Sequence, residues 1–456
     1  MLIKLSPHPF DTLSDAWKKS VKIPGPASLL IVGASTRAAA CSAIRAGLQP
    51  VCADQFADRD LRALTDVLFK IDEGQSWLEA VLKREPLDWI YTGAVENRPE
   101  WINSINQRHT LQGNAGDALK KVRDPFFLQE LLARQSIPVS PCLPADAPTS
   151  SRERWLRKPR LSAAGQRICF TENGTTDPAR VDQYYLQQFQ PGIPVSALFI
   201  AFADRCVLVG TAMQLTGNRV LHAPPFQFCG GMTVSPVPLI WRSPLKELGQ
   251  NVARGCRLRG LFGCDLIWNP DREPGLWLTE VNPRYTALTE LFELQYRLPL
   301  LHWHLAACRS NSVSSVPPES SAAELIRILK ICEKQQISPV SKGILYAPAD
   351  LNAPDLPLEQ TGWQTPAIAD IPDPGTRIPA GTPVCTVYGT GDDHETCLAS
   401  LADQILRWQR LIQPERPPEL SRQEACNMLW PGKESEKLFF SGFFSSGNVS
   451  GSFLED

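Results

Sequence analysis

The residues Ser28-Leu29-Leu30-Ile31-Val32 continue an apolar run that does not alternate with polar positions. A strand written that way is buried on both faces, which places it inside a parallel sheet covered by helices. The run, which opens at Ala27, enters Gly33-Ala34-Ser35-Thr36-Arg37 and then an alanine-rich helix to about Ala46, stopped by Gly47. Pro50-Val51-Cys52-Ala53 is the next strand, closed by Asp54, and Asp88-Trp89-Ile90-Tyr91-Thr92 is the third, ending at Gly93. Residues to about 121 therefore describe a small doubly wound α/β domain. Ligands of such sheets bind where the strands end, and Ser35, Arg37, Asp54, Glu96 and Asn97 all fall there. A complete Gly-x-Gly-x-x-Gly is absent, because only Gly33 is present, and this argues against a dinucleotide site.

A second pattern lies far downstream. Gly263 to Trp268 is an apolar strand with one carboxylate, Asp265, and Leu278 to Thr286 reads Leu-Thr-Glu-Val-Asn-Pro-Arg-Tyr-Thr. Glu280 and Asn282 stand two residues apart, so both project from one face of a strand. Two hard oxygen ligands at that spacing can share a divalent cation, and Arg284 follows at the same period as a phosphate clamp. Upstream, a helix from Asp124 to Gln135 is closed by Ile137-Pro138. A strand then ends in Arg157-Lys158-Pro159, followed by the small-residue turn Ser162-Ala163-Ala164-Gly165-Gln166 and a strand from Arg167 to Phe170. Such a loop can fold over a triphosphate and donate backbone N–H groups to it.

Further strands are expected at Tyr184–Phe189, Val195–Phe202 and Arg205–Gln214, with helices at about Leu245–Arg257 and Leu288–Ala307. Residues 311–322 form a Ser/Pro-rich linker to a small β-rich unit built on Lys342–Ala347, Ala369–Pro372 and Gly381–Tyr388, with a helix near His394–Leu411. From about Pro414 the chain is polar and ends in Gly, Ser and Phe. That tail is expected to be poorly ordered, or draped on the surface through Phe439, Phe440, Phe443 and Phe444.

A chain of 456 residues exceeds what one core serves, so two to four domains are expected. The net charge of −2 offers nothing to a nucleic acid or an anionic membrane surface. Thirteen cysteines without a CxxC pair suit reduced, buried thiols better than a disulfide framework or a zinc site. His302-Trp303-His304 reads as structural. No signal-peptide pattern opens the chain and no run approaches the ~20 apolar residues of a membrane span, so a cytoplasmic location is expected.

Taken together, these parts resemble the ATP-grasp superfamily of ligases over about residues 28 to 410. Gly260 to Trp268 with Leu278 to Arg284 looks like the magnesium-binding strands of biotin carboxylase and of the formate-dependent purine transformylase. The resemblance implies a Rossmann-like domain (1–121), a small lid lobe (122–190), a large lobe with the metal site (191–310), a small C-terminal α/β domain (311–412) and a tail (413–456). It implies ATP and Mg2+, or Mn2+ in its place, as cofactors. Asp265, Glu280 and Asn282 would hold the metal, and Arg284 would stabilise charge on an acyl-phosphate or its adduct. Arg123 and Lys158 would contact the phosphates, with Lys121 a competitor for the first place, and Ser162, Gly165, Gln187 and Gln188 would complete the nucleotide site. Arg37, Glu96 and Asn97 would select small-molecule carboxylate and amine substrates, and a homodimer is expected.

Two departures stand out. The loop reads Ala163-Ala164-Gly165 where paired glycines are usual, and Gln187-Gln188 replace the hinge carboxylate that serves the nucleotide. Gly33 to Ala40, Gly93 to Pro99 and Arg123-Asp-Pro also look like the ATP-grasp proteins linked to methanopterin and methanofuran one-carbon metabolism. There the expected activity joins an amino acid, often glutamate, to an amine-bearing cofactor precursor. The alternatives are a formyl-phosphate or carboxyphosphate enzyme of the purine-pathway type, and a nucleotide-binding regulator without catalysis.

Overall fold

The computed structural model describes residues 27–429 except 151, 172–177, 274, 310–317, 336, 359–361, 414 and 416–417. Its first sheet contains β1 (Ser28–Gly33), β2 (Gln49–Asp54), β3 (Leu68–Lys70), β4 (Asp88–Tyr91) and β5 (Thr110–Leu111). The order is β3-β2-β1-β4-β5 and the pairings are parallel, as the unbroken apolar runs require. β3 and β5, three and two residues long, are too short to show a period, so the strand expected third is the fourth. The order reverses between β1 and β4, and the loops after these two strands flank the crevice.

A four-stranded antiparallel sheet follows, built from β6 (Cys142–Pro144), β7 (Trp155–Pro159), β8 (Cys169–Phe170) and β9 (Tyr184–Gln188) in the order β6-β9-β7-β8. The remaining strands are β10 (Ile193–Ala201), β11 (Cys206–Thr216), β12 (Phe228–Val234), β13 (Gly260–Trp268), β14 (Leu276–Asn282), β15 (Val340–Tyr346), β16 (Leu351–Asn352), β17 (Ile368–Ala369), β18 (Arg377–Ile378) and β19 (Pro383–Thr390). Eight of these make one sheet, β14-β13-β10-β11-β12-β15-β19-β17, and β16 pairs with β18.

β12 was not anticipated from its Phe-Cys-Gly-Gly-Met-Thr-Val sequence, because glycine weakens a strand signal. Its glycines are needed for close approach: a Cβ on Gly230 would fall 2.1 Å from the Lys342 carbonyl oxygen. By pairing with both β11 and β15, β12 makes the expected C-terminal unit an extension of the large sheet.

Three helices differ from expectation. One runs Leu239–Cys256, starting ahead of Pro244. The stretch Leu288–Ala307 divides into Thr289–Tyr296 and Leu300–Cys308, because Arg297 turns left-handed (φ +50) and Pro299 cannot continue the first helix. Pro318–Lys334 is helical and begins inside the expected linker, whose residues 311–317 lie outside the described part. Within the expected tail, Arg422–Leu429 is a helix anchored by the Asn218 Nδ2 bond to the Met428 carbonyl at 2.8 Å. The four tail phenylalanines also lie outside the described residues.

β14 is an edge strand, and an uncovered edge invites unwanted pairing. The segment 138–140 covers it: Leu278 N–H donates to the Pro138 carbonyl (2.9 Å) and Ser140 N–H to that of Leu278 (2.8 Å). Leu266, Leu276, Leu278 and Val281 are buried beneath, each contributing roughly 1.5–3 kcal/mol of burial.

Candidate active site

Strict alternation along β14 would put Glu280 on the same buried face as Leu276 and Leu278. It does not sit there. Asp265 pairs with Glu280 but Leu266 pairs with Leu278, so Thr279 is an extra residue, a β-bulge. The bulge turns Glu280 and Asn282 away from the core while Val281 replaces them inside, and Thr279 Oγ1 donates to the Asp265 carbonyl at 2.9 Å.

Directly opposed residues of an antiparallel pair have Cβ atoms about 4.5–5.5 Å apart, so Asp265 and Glu280 are within reach of one shared cation. Asp265 Oδ1 accepts from Ser196 Oγ (3.1 Å) and Gln214 Nε2 (2.5 Å), and Oδ2 from Asn282 Nδ2 (2.8 Å). Burial pushes its pKa up to about 6; the Glu280 charge adds to this and the bonds from Ser196 and Gln214 oppose it. Among the described residues, Glu280 has no hydrogen bond or ion pair, and no group of three or more His, Cys, Asp or Glu side chains could hold a metal. Two carboxylates and an amide fit a hard cation only if further oxygens come from a ligand, as phosphate oxygens would.

Arg284 is held on the far side of Asn282. Its Nε donates to Glu96 Oε1 (2.7 Å) and Nη2 to Asn282 Oδ1 (3.2 Å). Burial works against the guanidinium charge, but Glu96 and Glu280 outweigh it and hold the pKa above its ordinary value. The Asn114 amide donates to the carbonyls of Pro283 (3.1 Å) and Arg259 (3.0 Å), fixing the ends of both site strands against the first domain. Glu96 is 3% exposed, and its Oε2 is buried without a hydrogen-bond partner. Unlike Glu96, Ser196, Gln214 and Asn114 were missed from sequence. For the first two a signal existed, since each is a polar residue inside an apolar strand.

A narrow cleft opens between the four-stranded sheet and β14. Arg123, Lys158, Ser162, Tyr185 and Glu280 line it. Lys158 Nζ donates to Gln187 Oε1 (3.0 Å), and Gln187 Nε2 donates to the Thr279 carbonyl (3.2 Å). Burial opposes the Lys158 charge, and Tyr185 with Glu280 raises its pKa above the ordinary value, so it remains a cation. Arg123 Nη2 donates to Asn97 Oδ1 (2.6 Å) and the Arg160 carbonyl (3.1 Å). Lys121 does not line the cleft and pairs with Asp117 at 2.9 Å.

Other expected ligands are placed elsewhere. Gln188 projects from the opposite face of β9, accepts from Gln190 Nε2 (3.2 Å), and is not part of the cleft lining. Gly165 (φ +77) is needed for a close approach, because a Cβ there would meet the Phe226 carbonyl oxygen at 2.1 Å. The Phe228 N–H donates to the Ala164 carbonyl at 3.0 Å, so the loop is seated on the 226–228 segment. Ala164 has φ +54, at a cost of about 1–2 kcal/mol that a glycine would avoid.

Arg37 is consumed elsewhere. It grips Glu290 with Nη1–Oε1 at 2.6 Å and Nη2–Oε2 at 3.0 Å, and donates to Tyr388 Oη (2.9 Å) and Asp370 Oδ1 (2.9 Å). Lys342 Nζ (3.3 Å) and Tyr388 Oη (2.7 Å) also donate to Glu290 Oε2. These groups tie the first domain to the helix Thr289–Tyr296 and to β15 and β19. His304 is structural, as read: its Nδ1 accepts from the Leu261 N–H at 2.8 Å.

The model of the ATP-grasp domain matches residues 122–288, which contain the cleft, Asp265, Glu280 and Arg284. No curated protein matches the chain. Among solved structures, the chain is similar to pyruvate carboxylase T882A of Rhizobium etli with acetyl coenzyme-A, at 14% identity and a TM-score of 0.59. That match covers 84% of this chain but 36% of the carboxylase, so this chain spans about a third of it. It is similar to biotin carboxylase of Campylobacter jejuni in complex with β,γ-ATP (11%, TM-score 0.59, 88% and 94% of the two chains). It is likewise similar to L-amino acid ligase of Bacillus licheniformis (11%, TM-score 0.58, 83% and 97%). At such identities the likeness is one of fold. Residues 122–288 match the ATP-grasp domain, and the parallel first domain, the lid sheet and the bulged edge strand give the chain the fold it shares with these structures.

Proposed function

We propose that the protein is an ATP-dependent carboxylate–amine ligase that releases ADP through an acyl-phosphate. The observation that carries this reading is Glu280, unpaired and opposite Asp265, facing a cleft lined by Arg123 and Lys158. The bulge presents the Glu280 carboxylate to the cleft with no side-chain hydrogen bond of its own among the described residues.

A carboxylate attacking the γ-phosphate meets an anion, and Arg123 and Lys158 lower that repulsion. Asp265, Glu280 and Asn282 would hold Mg2+ or Mn2+, which supplies charge neutralisation between phosphate oxygens. Arg284 faces the oxygen charge that develops when an amine attacks the acyl group. Glu96 holds Arg284 in place through the Nε–Oε1 bond. Gln187, bonded to Lys158, orients that cation where a hinge carboxylate is usual. Closing of the four-stranded lobe over the cleft would exclude water, which would otherwise hydrolyse an acyl-phosphate.

The finer assignment, an amino acid such as glutamate joined to a one-carbon-carrier precursor, is our proposed substrate class. The L-amino acid ligase among the similar structures supports an amino acid on one side of the new bond. ADP release should require an acid and an amine together, and Glu280→Ala should abolish it; unchanged turnover in that variant would sink the assignment. A second reading is favoured by the biotin carboxylase likeness: bicarbonate or formate alone should then support ADP formation. Tight ATP binding without turnover across a broad acid and amine panel would instead point to a regulator.

A further inference from the structure

The short turn Val95–Asn97, which the chain enters through Ala94 at φ +77, reaches across to the lid. The Asn97 amide is used at both ends. Its Oδ1 accepts from Arg123 Nη2 at 2.6 Å, and its Nδ2 donates to the Ser162 carbonyl at 3.0 Å. These partners differ in kind: Arg123 lies where the chain enters the lid lobe, while Ser162 is the first residue of the small-residue loop. Arg123 Nη2 also reaches the Arg160 carbonyl at 3.1 Å, just before that loop. The preceding residue, Glu96, takes Arg284.

One planar amide therefore sets the distance between a cleft cation and the loop. Arg123 Nη1 lies 3.9 Å from Glu96 Oε1 and its Nε has no bond to Asn97, so a bound phosphate need not displace Asn97. Opening the loop does break the Ser162 bond, and swinging Arg123 with it breaks the other. Asn97 is only partly buried and hydrogen-bonds two residues that line the cleft, Arg123 and Ser162.

We infer that Asn97 is a positioning residue that couples the first domain to lid closure, slowing nucleotide escape by tying the Ser162 loop to Arg123. It does not read substrate directly, contrary to the expectation from sequence. Its role rests on the cleft being the nucleotide site proposed above.

The test uses the full chain with Mg2+ and a fluorescent N-methylanthraniloyl-ADP, measuring dissociation by stopped flow beside thermal unfolding. Asn97→Ala removes one charge-assisted and one neutral hydrogen bond, so release should quicken about tenfold or more, with the unfolding midpoint unchanged. Asn97→Asp keeps an acceptor for Arg123 but sets a carboxylate against the Ser162 carbonyl. Release should again quicken, and this variant decides the matter if the alanine variant does not fold. Wild-type release rates in either folded variant would overturn the coupling alone. A wild-type chain that binds no nucleotide would remove the ligase reading and the coupling together.

Discussion

Two ionic clusters in this molecule look alike in composition and differ in satisfaction. Around Glu290, every charge is met: Arg37 is bidentate, Lys342 and Tyr388 add bonds, and Asp370 takes the remaining Arg37 donor. Burial pushes the Glu290 carboxyl upward, yet Arg37 and Lys342 hold it well below the ordinary carboxylate range. Around Glu280 the opposite holds. Asp265 has neutral partners and a raised pKa, Glu280 has none, and Glu96 keeps a buried oxygen without a donor. Lys158 and Arg284 bring opposite charge near Glu280 without a direct bond to it, so its carboxylate stays open to a ligand. The first cluster holds the domains together; the second leaves a carboxylate facing the cleft.

Substitutions should separate the two. The largest effect on stability is expected from Arg37→Met, which leaves Glu290 with part of its compensation: about 3–5 kcal/mol lost in urea unfolding. A loss below about 1 kcal/mol would dissolve the distinction from the structural side. Glu280→Gln should reverse the pattern, leaving stability within about 1 kcal/mol while ATP turnover falls at least 10²-fold. Comparable damage to stability would mean that Glu280 is a structural residue.

The helix Thr289–Tyr296 offers a finer comparison, because two of its buried glutamates are shifted in opposite directions. Burial pushes Glu293 up to about 7, against Arg45, Ser42 and Tyr285. The native state then holds that proton more tightly than the unfolded chain. Its contribution is full below the unfolded value of 4.5 and is lost as pH rises through about 7. Glu290, being depressed, contributes above 4.5 and loses that contribution as pH falls below it. Glu293→Gln should therefore flatten the decline in stability between pH 5 and 7 by about 3 kcal/mol; an unaltered pH profile would count against a buried neutral Glu293. Smallest is Lys158→Met: nucleotide affinity by calorimetry should drop about tenfold, the loss of one charge-assisted contact, and an undiminished affinity would remove Lys158 from the phosphate site.

How far the sequence disclosed this division is clear from individual residues. Asp265, Glu280, Asn282 and Arg284 were legible because polar groups stand out inside apolar strands, and their period announces a shared face. Arg123 and Lys158 followed from their places before the helix and the loop, and both line the cleft. Arg37 was misread, since its partners lie 253 to 351 residues away and nothing local shows that its charge is already taken. Gln188 was misplaced because adjacent strand residues face opposite sides, and only the cleft shows which side counts. The break at Pro299 was visible in principle, whereas β12 was hidden by its glycines.

What the sequence alone determined is the inventory: parallel strands, a lid with a cationic strand end, and oxygen donors at a two-residue spacing. Those follow from short-range sterics and from the period at which apolar side chains recur, which any local segment carries within itself. The tertiary structure alone decided the assignments. The bulge at Thr279 that frees Glu280 from the core, the capture of Arg37 by Glu290, and the tie from Asn97 to the lid each depend on residues distant in the chain. Whether a charge is satisfied is a property of its surroundings, and those exist only after folding.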